Sequence, residues 1–171
     1  PDDPALYVDA TTHDAVILHR VAWQPAIADL VAVMRARGKP IIFETDDLVF
    51  APELQDRIAF LDTLSPEAAR RFRNDMTQVA LTFGECDCVL TTTGYLAEAA
   101  EEHGKPAFVQ RNAASDEMVQ CAERAHARPR ERSGQVTLAY FSGTGSHNRD
   151  FATIAPVLAE LMTRYPQVVV H

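Results

Sequence analysis

Long apolar runs are missing from this chain. None approaches the roughly 18–20 residues needed to cross a bilayer, so no membrane-spanning segment is expected. The chain opens with PDDPALYVD, without an initiator Met. That start lacks the basic residues and apolar stretch of a secretory leader, and a cytoplasmic chain, trimmed at its start, is expected. Positive charge is also scarce: 16 Lys and Arg stand against 24 Asp and Glu, a net charge of −8. A protein that clamps phosphodiester backbones needs the opposite balance, so nucleic acid is not an expected partner. Only a local basic patch could hold an anionic ligand. Cysteine is limited to Cys86, Cys88 and Cys121, which is too few for a disulfide framework and lacks the second pair of a zinc site. The order Cys-Asp-Cys places Cys86 and Cys88 on one side of a strand, and all three are expected to be buried structural thiols in a reducing compartment. Two catalytic signatures are absent as well. No Gly-x-Ser-x-Gly elbow or Ser-His-Asp order supports a hydrolase triad, and no Gly-Lys-Ser/Thr supports a P-loop.

What is present is a soluble-type composition, 47% hydrophobic and 23% charged over 171 residues. That length buries one good core, or one core and part of another. Apolar bursts alternate with helical periodicity almost throughout. Strands are expected at 14–20, 40–45, 86–93, 106–112, 136–142 and 167–171. Helices are expected at 24–39, closed by Gly38, at 53–84 with a restart at Ser65-Pro66-Glu67, at 94–105 and at 148–164. Strands that are apolar throughout and separated by helices indicate an α/β fold, a Rossmann-like parallel sheet with helices on both faces. The segment 126–135, HARPRERSGQ, reads as a connection. Its arginines are those of a solvated linker or of a basic patch. The boundaries expected are therefore a first domain over 1–126, a linker over 127–135, and a first β-α-β unit of a second, incomplete domain over 136–171.

Open parallel sheets bind ligands beyond the carboxyl ends of their strands. At those ends stand His19 and Arg20, then Glu44-Thr45-Asp46-Asp47, then Thr91-Thr92-Thr93, then Gln110-Arg111-Asn112, and finally Ser142-Gly143-Thr144-Gly145. Strand exits into polar loops account for much of this, but the ionisable groups at the first, second and fourth ends point to a cleft. Asp46 and Asp47 could ligate Mg²⁺ through oxygen or serve as hydrogen-bonding groups. No metal is expected, because the Asp-x-Asp spacing of metal-dependent sugar-nucleotide enzymes is absent. His19, Arg20, Asp46 and Asp47 are the candidate catalytic residues. His147 is the other histidine placed for chemistry, whereas His13, His103 and His126 read as surface residues.

The loop 140–151, YFSGTGSHNRDF, follows one strand and precedes a helix. It fits no dinucleotide fingerprint, because Asn148 stands where a third glycine belongs. Its glycines still permit close backbone approach, the helix start offers free N–H groups, and His147 adds positive charge.

The segments DAVILHRVA, PIIFETDDLVF, CDCVLTTTGYLAEAAEEHGKPAFVQRNA and VTLAYFSGTGSHNRDFATIAPVLAELMTRYPQVVV together resemble group 1 (family-4-type) glycosyltransferases of the GT-B fold. The resemblance implies an acceptor-side domain and the start of a donor-binding domain, with Arg111 and Asn112 at the interdomain cleft. It implies that Ser142, Gly143, Thr144, Gly145 and His147 bind the donor diphosphate. The implied reaction moves a sugar from a nucleotide-diphosphate sugar to a saccharide or lipid-linked acceptor, with retention and no obligatory cofactor. Peripheral association with the inner membrane face belongs to the same expectation. The residues by which this family grips the diphosphate would fall past His171, so the fragment alone is expected to be inactive. The alternative is a non-catalytic Rossmann-like module that binds a nucleotide or a protein.

Overall fold

The computed structural model describes residue 10 and residues 12–128, 134–141 and 148–171. They fall into two compact units, one of residues 1–56 and 65–113 and another of 57–64 and 114–171.

The first unit holds four strands, β1 (Val16–His19), β2 (Ile41–Thr45), β3 (Cys88–Thr91) and β4 (Ala107–Val109). All are parallel and lie in the order β1-β2-β3-β4. Helix α1 (Pro25–Ala36) links β1 to β2, α2 (Pro66–Glu85) precedes β3, and α3 (Gly94–Glu102) links β3 to β4. The local chemistry explains the helix ends. Pro25 and Pro66 occupy first-turn positions, where a missing N–H costs nothing. Ser65 Oγ accepts the Ala68 N–H at 3.2 Å, and Thr93 Oγ1 accepts the Leu96 N–H at 3.2 Å. Gly38, at φ 65°, takes the left-handed turn that ends α1. The Lys105 ammonium donates to the carbonyls of Gly84 and Cys86 at 2.6 and 2.7 Å. It thereby satisfies the negative end of α2.

Winding in one direction with right-handed crossovers carries every crossover to the same side of the sheet. The packing agrees. Leu18, Phe43 and Val89 share a register row with Ala107. That row packs in one core with Ile27, Leu30, Val31 and Met34 of α1, Phe83 of α2 and Ala100 of α3. Phe83 lies edge-on to Phe43 at 5.6 Å and stacks on Phe50 at 4.6 Å. The parallel α/β class expected from the sequence is present. Its helices, expected on both faces, lie on one face among the described residues of this unit. The other face carries Ile17, His19, Ile42, Glu44, Leu90 and Phe108. Ile17 and Phe108 there are 56% and 58% exposed.

The helical stretch expected over 53–84 is broken. Two short 3-10 helices, Pro52–Arg57 and Ala59–Thr63, precede α2, which starts at the Ser-Pro signal. In the second unit, α4 (Asp116–His126) was not foreseen as a helix. Ser115 Oγ caps it by accepting the Met118 N–H at 3.2 Å, and Asp116 and Glu117 suit the positive end of its dipole. Then β5 (Val136–Leu138), α5 (Asn148–Arg164) and β6 (Val168–Val170) form a β-α-β unit with a parallel strand pair. The thiols differ from expectation. Cys86 is buried, but at the end of α2 rather than in β3, with its Sγ 3.2 Å from the Thr82 carbonyl. Cys88 is half-buried and Cys121 is exposed on α4. No helix among the described residues is long and apolar enough to cross a membrane.

Candidate functional site

The carboxyl ends of β2 and β3 are built alike. Each strand ends on a buried threonine, Thr45 and Thr91, in register with each other. A buried hydroxyl must find a partner, and each turns to the backbone two residues on. Thr45 Oγ1 donates to the Asp47 carbonyl at 2.7 Å and accepts the Asp47 N–H at 3.1 Å. Thr91 Oγ1 donates to the Thr93 carbonyl at 3.2 Å. These bonds shape the loops that present the polar residues.

Register sets the first candidate pair. His19 and Glu44 are partners across β1 and β2, so their side chains emerge side by side on the open face. His19 Nδ1 hydrogen-bonds Glu44 Oε2. With Nδ1–H donated to the carboxylate, Nε2 of a neutral ring keeps its lone pair and can accept a proton. The His19 side chain is 62% exposed, and so is open to a ligand.

Arg20 follows at φ 48°, a left-handed backbone for a non-glycine residue. Its N–H still donates to the Glu44 carbonyl at 3.1 Å. Its guanidinium reaches Asp46 Oδ1 at 3.0 Å and Asp47 Oδ2 at 2.9 Å. Both aspartates, one sequence-level candidate for a cation site, thus spend a carboxylate oxygen on Arg20. The described residues contain no group of three or more His, Cys, Asp or Glu side chains arranged to hold a metal.

A cavity of about 370 Å³ lies on the open face at this end of the sheet. Ile17 and Leu90 contribute apolar surface, and Glu44, Thr91, Gln110, Arg111 and Asn112 are polar, with Ala113 completing the wall. Glu44 therefore belongs both to the histidine pair and to the cavity. Among sequence candidates, Arg111 and Asn112 line this cavity, whereas Asp46 and Asp47 are tied to Arg20. Leu90 and Ile17 were not singled out, and Gln110 was named only as a polar residue at the end of the fourth strand. Strand alternation from Glu44 through its register partner Leu90 is the signal that would have found the first of them. The donor-loop candidates Ser142, Gly143, Thr144, Gly145 and His147 lie outside the described residues.

His103, read from sequence as a surface residue, is exposed and also ties two elements together. Its Nδ1 meets the Ala99 carbonyl at 2.7 Å, and its Nε2 meets Glu53 Oε1 at 2.9 Å. Its ring stands edge-on to Phe50 at 5.6 Å. Two acceptors favour a ring protonated at both nitrogens. The Ala99 carbonyl first, and then Glu53, raise the His103 pKa above its ordinary value. Glu53 is held below the usual carboxylate range by its backbone hydrogen bond and by His103.

No protein-family model matches this chain, and no curated protein does. Among solved structures, the chain is similar to UGT2 of Phytolacca americana, described in complex with UDP-2-fluoro-glucose and pterostilbene, at a TM-score of 0.43 and 15% identity. The match covers 96% of this chain and 46% of the plant protein, so these residues span about half the length of that structure.

Proposed function

We propose that this chain is part of a GT-B glycosyltransferase that moves a sugar from a nucleotide-diphosphate sugar to a hydroxyl of a saccharide or lipid-linked acceptor. In this reading the 1–126 span is the acceptor side and 127–135 the connection. Residues 136–171 open the donor-binding domain, and Ser142, Gly143, Thr144, Gly145 and His147 face the diphosphate. The observation that supports it is the His19–Glu44 pair beside a cavity lined from β1, β2, β3 and the segment that follows β4. A parallel sheet offers its ligand site at this end, and sugar transfer requires a group to take the acceptor proton.

The roles follow from the atoms. An acceptor hydroxyl on the open face gives its proton to His19 Nε2 as its oxygen bonds the anomeric carbon. The bond from that carbon to the diphosphate oxygen breaks, and the nucleotide diphosphate leaves with the electron pair. Glu44 holds the ring through Nδ1 and stabilises the imidazolium that forms. Arg20, Asp46 and Asp47 position the loops rather than touch the reacting atoms. Retention, which the family resemblance implies, requires the acceptor oxygen to reach the anomeric carbon on the face from which the diphosphate departs; attack on the opposite face inverts it.

The test is transfer by the whole protein from a panel of UDP- and GDP-sugars, followed by mass spectrometry, with the product's anomeric configuration read by NMR. Replacing His19 by Ala is expected to slow transfer about 10²–10⁴-fold while leaving nucleotide affinity unchanged. Transfer at the wild-type rate in that variant would remove His19 from the mechanism. Nucleotide binding with no transfer from any donor would favour the non-catalytic module.

A further inference from the structure

Among the described residues, Arg111 is the single cation lining the open-face cavity. The arginines of the first unit near other carboxylates are committed: Arg20 to Asp46 and Asp47, Arg35 to Glu85, and Arg71 to Glu67. Arg111 has no ion pair among the described residues, although Glu44 shares its cavity. Glu44 is already held by His19. In a chain of net charge −8, an uncommitted guanidinium on a cavity wall is poised for a negative group from outside. Beside it, Gln110 and Asn112 bring amides that donate and accept, which suits the hydroxyls of a sugar ring.

We infer that this cavity takes an anionic sugar as acceptor, a phosphate- or carboxylate-bearing hexose, whose negative group pairs with Arg111 while a hydroxyl at its other end faces His19 and Glu44. The inference rests on the acceptor-side reading above. The division of charge is its physical basis. Glu44 would repel an anion at the reacting end, and the guanidinium can bind one by two parallel hydrogen bonds at the far end. An anion on the acceptor therefore sets its direction in the cavity, so that its hydroxyl, and not its charged group, meets the histidine.

The experiment is equilibrium binding to the 171-residue protein by NMR, following the Arg111 Nε–H and the Gln110 and Asn112 side-chain amides. The probes are a panel of hexose phosphates, the matching hexuronates, the neutral hexoses and inorganic phosphate. A charged sugar is expected to bind about tenfold more tightly than its neutral counterpart, a difference of about 1.4 kcal/mol. Arg111→Gln is expected to erase that difference, whereas Arg37→Gln, at the C-cap of α1, leaves it intact. The phosphate and uronate arms say which anion is preferred. Equal binding of charged and neutral sugars, or a preference that survives Arg111→Gln, would overturn the inference and leave the acceptor reading standing. Inorganic phosphate binding as tightly as the sugar phosphate would overturn it too, by reducing the site to a bare anion contact. Absence of binding by every sugar would overturn both.

Discussion

Arg20 is where backbone strain and charge meet beside the candidate site, and two substitutions separate them. Its left-handed φ of 48° costs a non-glycine residue about 1 kcal/mol. Its ion pairs at 3.0 and 2.9 Å are exposed, with side chains 37–60% accessible. Such pairs contribute about 0.2–1 kcal/mol each, so together they offset about 0.5–2 kcal/mol. Arg20→Ala removes the pairs and keeps the strain, and is expected to destabilise the first unit by that amount. Arg20→Gly removes the same pairs but relieves the strain. It is expected to be about 1 kcal/mol more stable than the alanine variant and close to the parent. Trp23, the one tryptophan, packs partly buried against the core three residues on, so its emission during urea unfolding reports this unit. Salt provides the control. Raising ionic strength should narrow the gap between parent and alanine variant, because exposed pairs are screened, but it should leave the alanine–glycine gap unchanged. An alanine variant as stable as the glycine variant would refute the strain argument. A parent–alanine gap indifferent to salt would refute the ion-pair argument.

Three further outcomes follow from the same packing. His103 has a raised folded pKa, so its stabilising contribution is complete below the ordinary histidine value and is lost as pH rises through the raised one. Midpoints of urea unfolding against pH should fall across that window, and His103→Gln should flatten the fall. Glu53 contributes in the opposite sense, its share disappearing as acid takes the pH through its lowered pKa. Burial pushes the Cys86 thiol up to about 12 and raises that of Cys88. A disulfide reagent near pH 8 should therefore label exposed Cys121 first, Cys88 more slowly and Cys86 only on unfolding; equal native rates would contradict the assigned burial. Phe83→Ala, emptying the ring between Phe43 and Phe50, should cost about 3–5 kcal/mol in the same unfolding assay, and a loss under 1 kcal/mol would deny that ring its place in the core.

The class of fold was legible because its signals are local. Apolar bursts, Ser65-Pro66 and Gly38 each declare themselves within a few residues, and the strands and helix ends fall close to where they point. The winding was not legible. An apolar strand reads the same whether helices cover one face or two, and only the order β1-β2-β3-β4 decides between them. Helix α4 escaped because polar residues interrupt its apolar ones and its side chains are all exposed. Its caps were the available sign. In the site, His19 and Arg111 were visible as ionisable residues at strand ends. The pairing of His19 with Glu44 was not, because it depends on a partner 25 residues away. His103 was read correctly as a surface residue, but its pairing was hidden for the same reason, since its carboxylate partner is 50 residues distant.

That dependence also explains why the histidine pair is more than a chance contact. Side chains alternate across a strand, so one register fixes both faces at once. The row Leu18–Phe43–Val89–Ala107 is held toward the helices by the core. The next row, His19–Glu44–Leu90–Phe108, is then forced onto the open face. Slipping β1 by one residue against β2 would expose Leu18 and drive His19 into the apolar core, which is costly for a polar ring without a partner. The energy that aligns His19 with Glu44 therefore comes from burying Leu18 and Phe43 on the opposite side of the sheet. With His19 exposed and Glu44 half-buried, the two polar side chains need contribute little to their own placement. The pair on the open face is thereby held by the buried row behind it. The threonines at the ends of β2 and β3 extend that order into the loops, and the cavity spans both, from Ile17, Glu44 and Leu90 on the strands to Arg111 and Asn112 beyond β4.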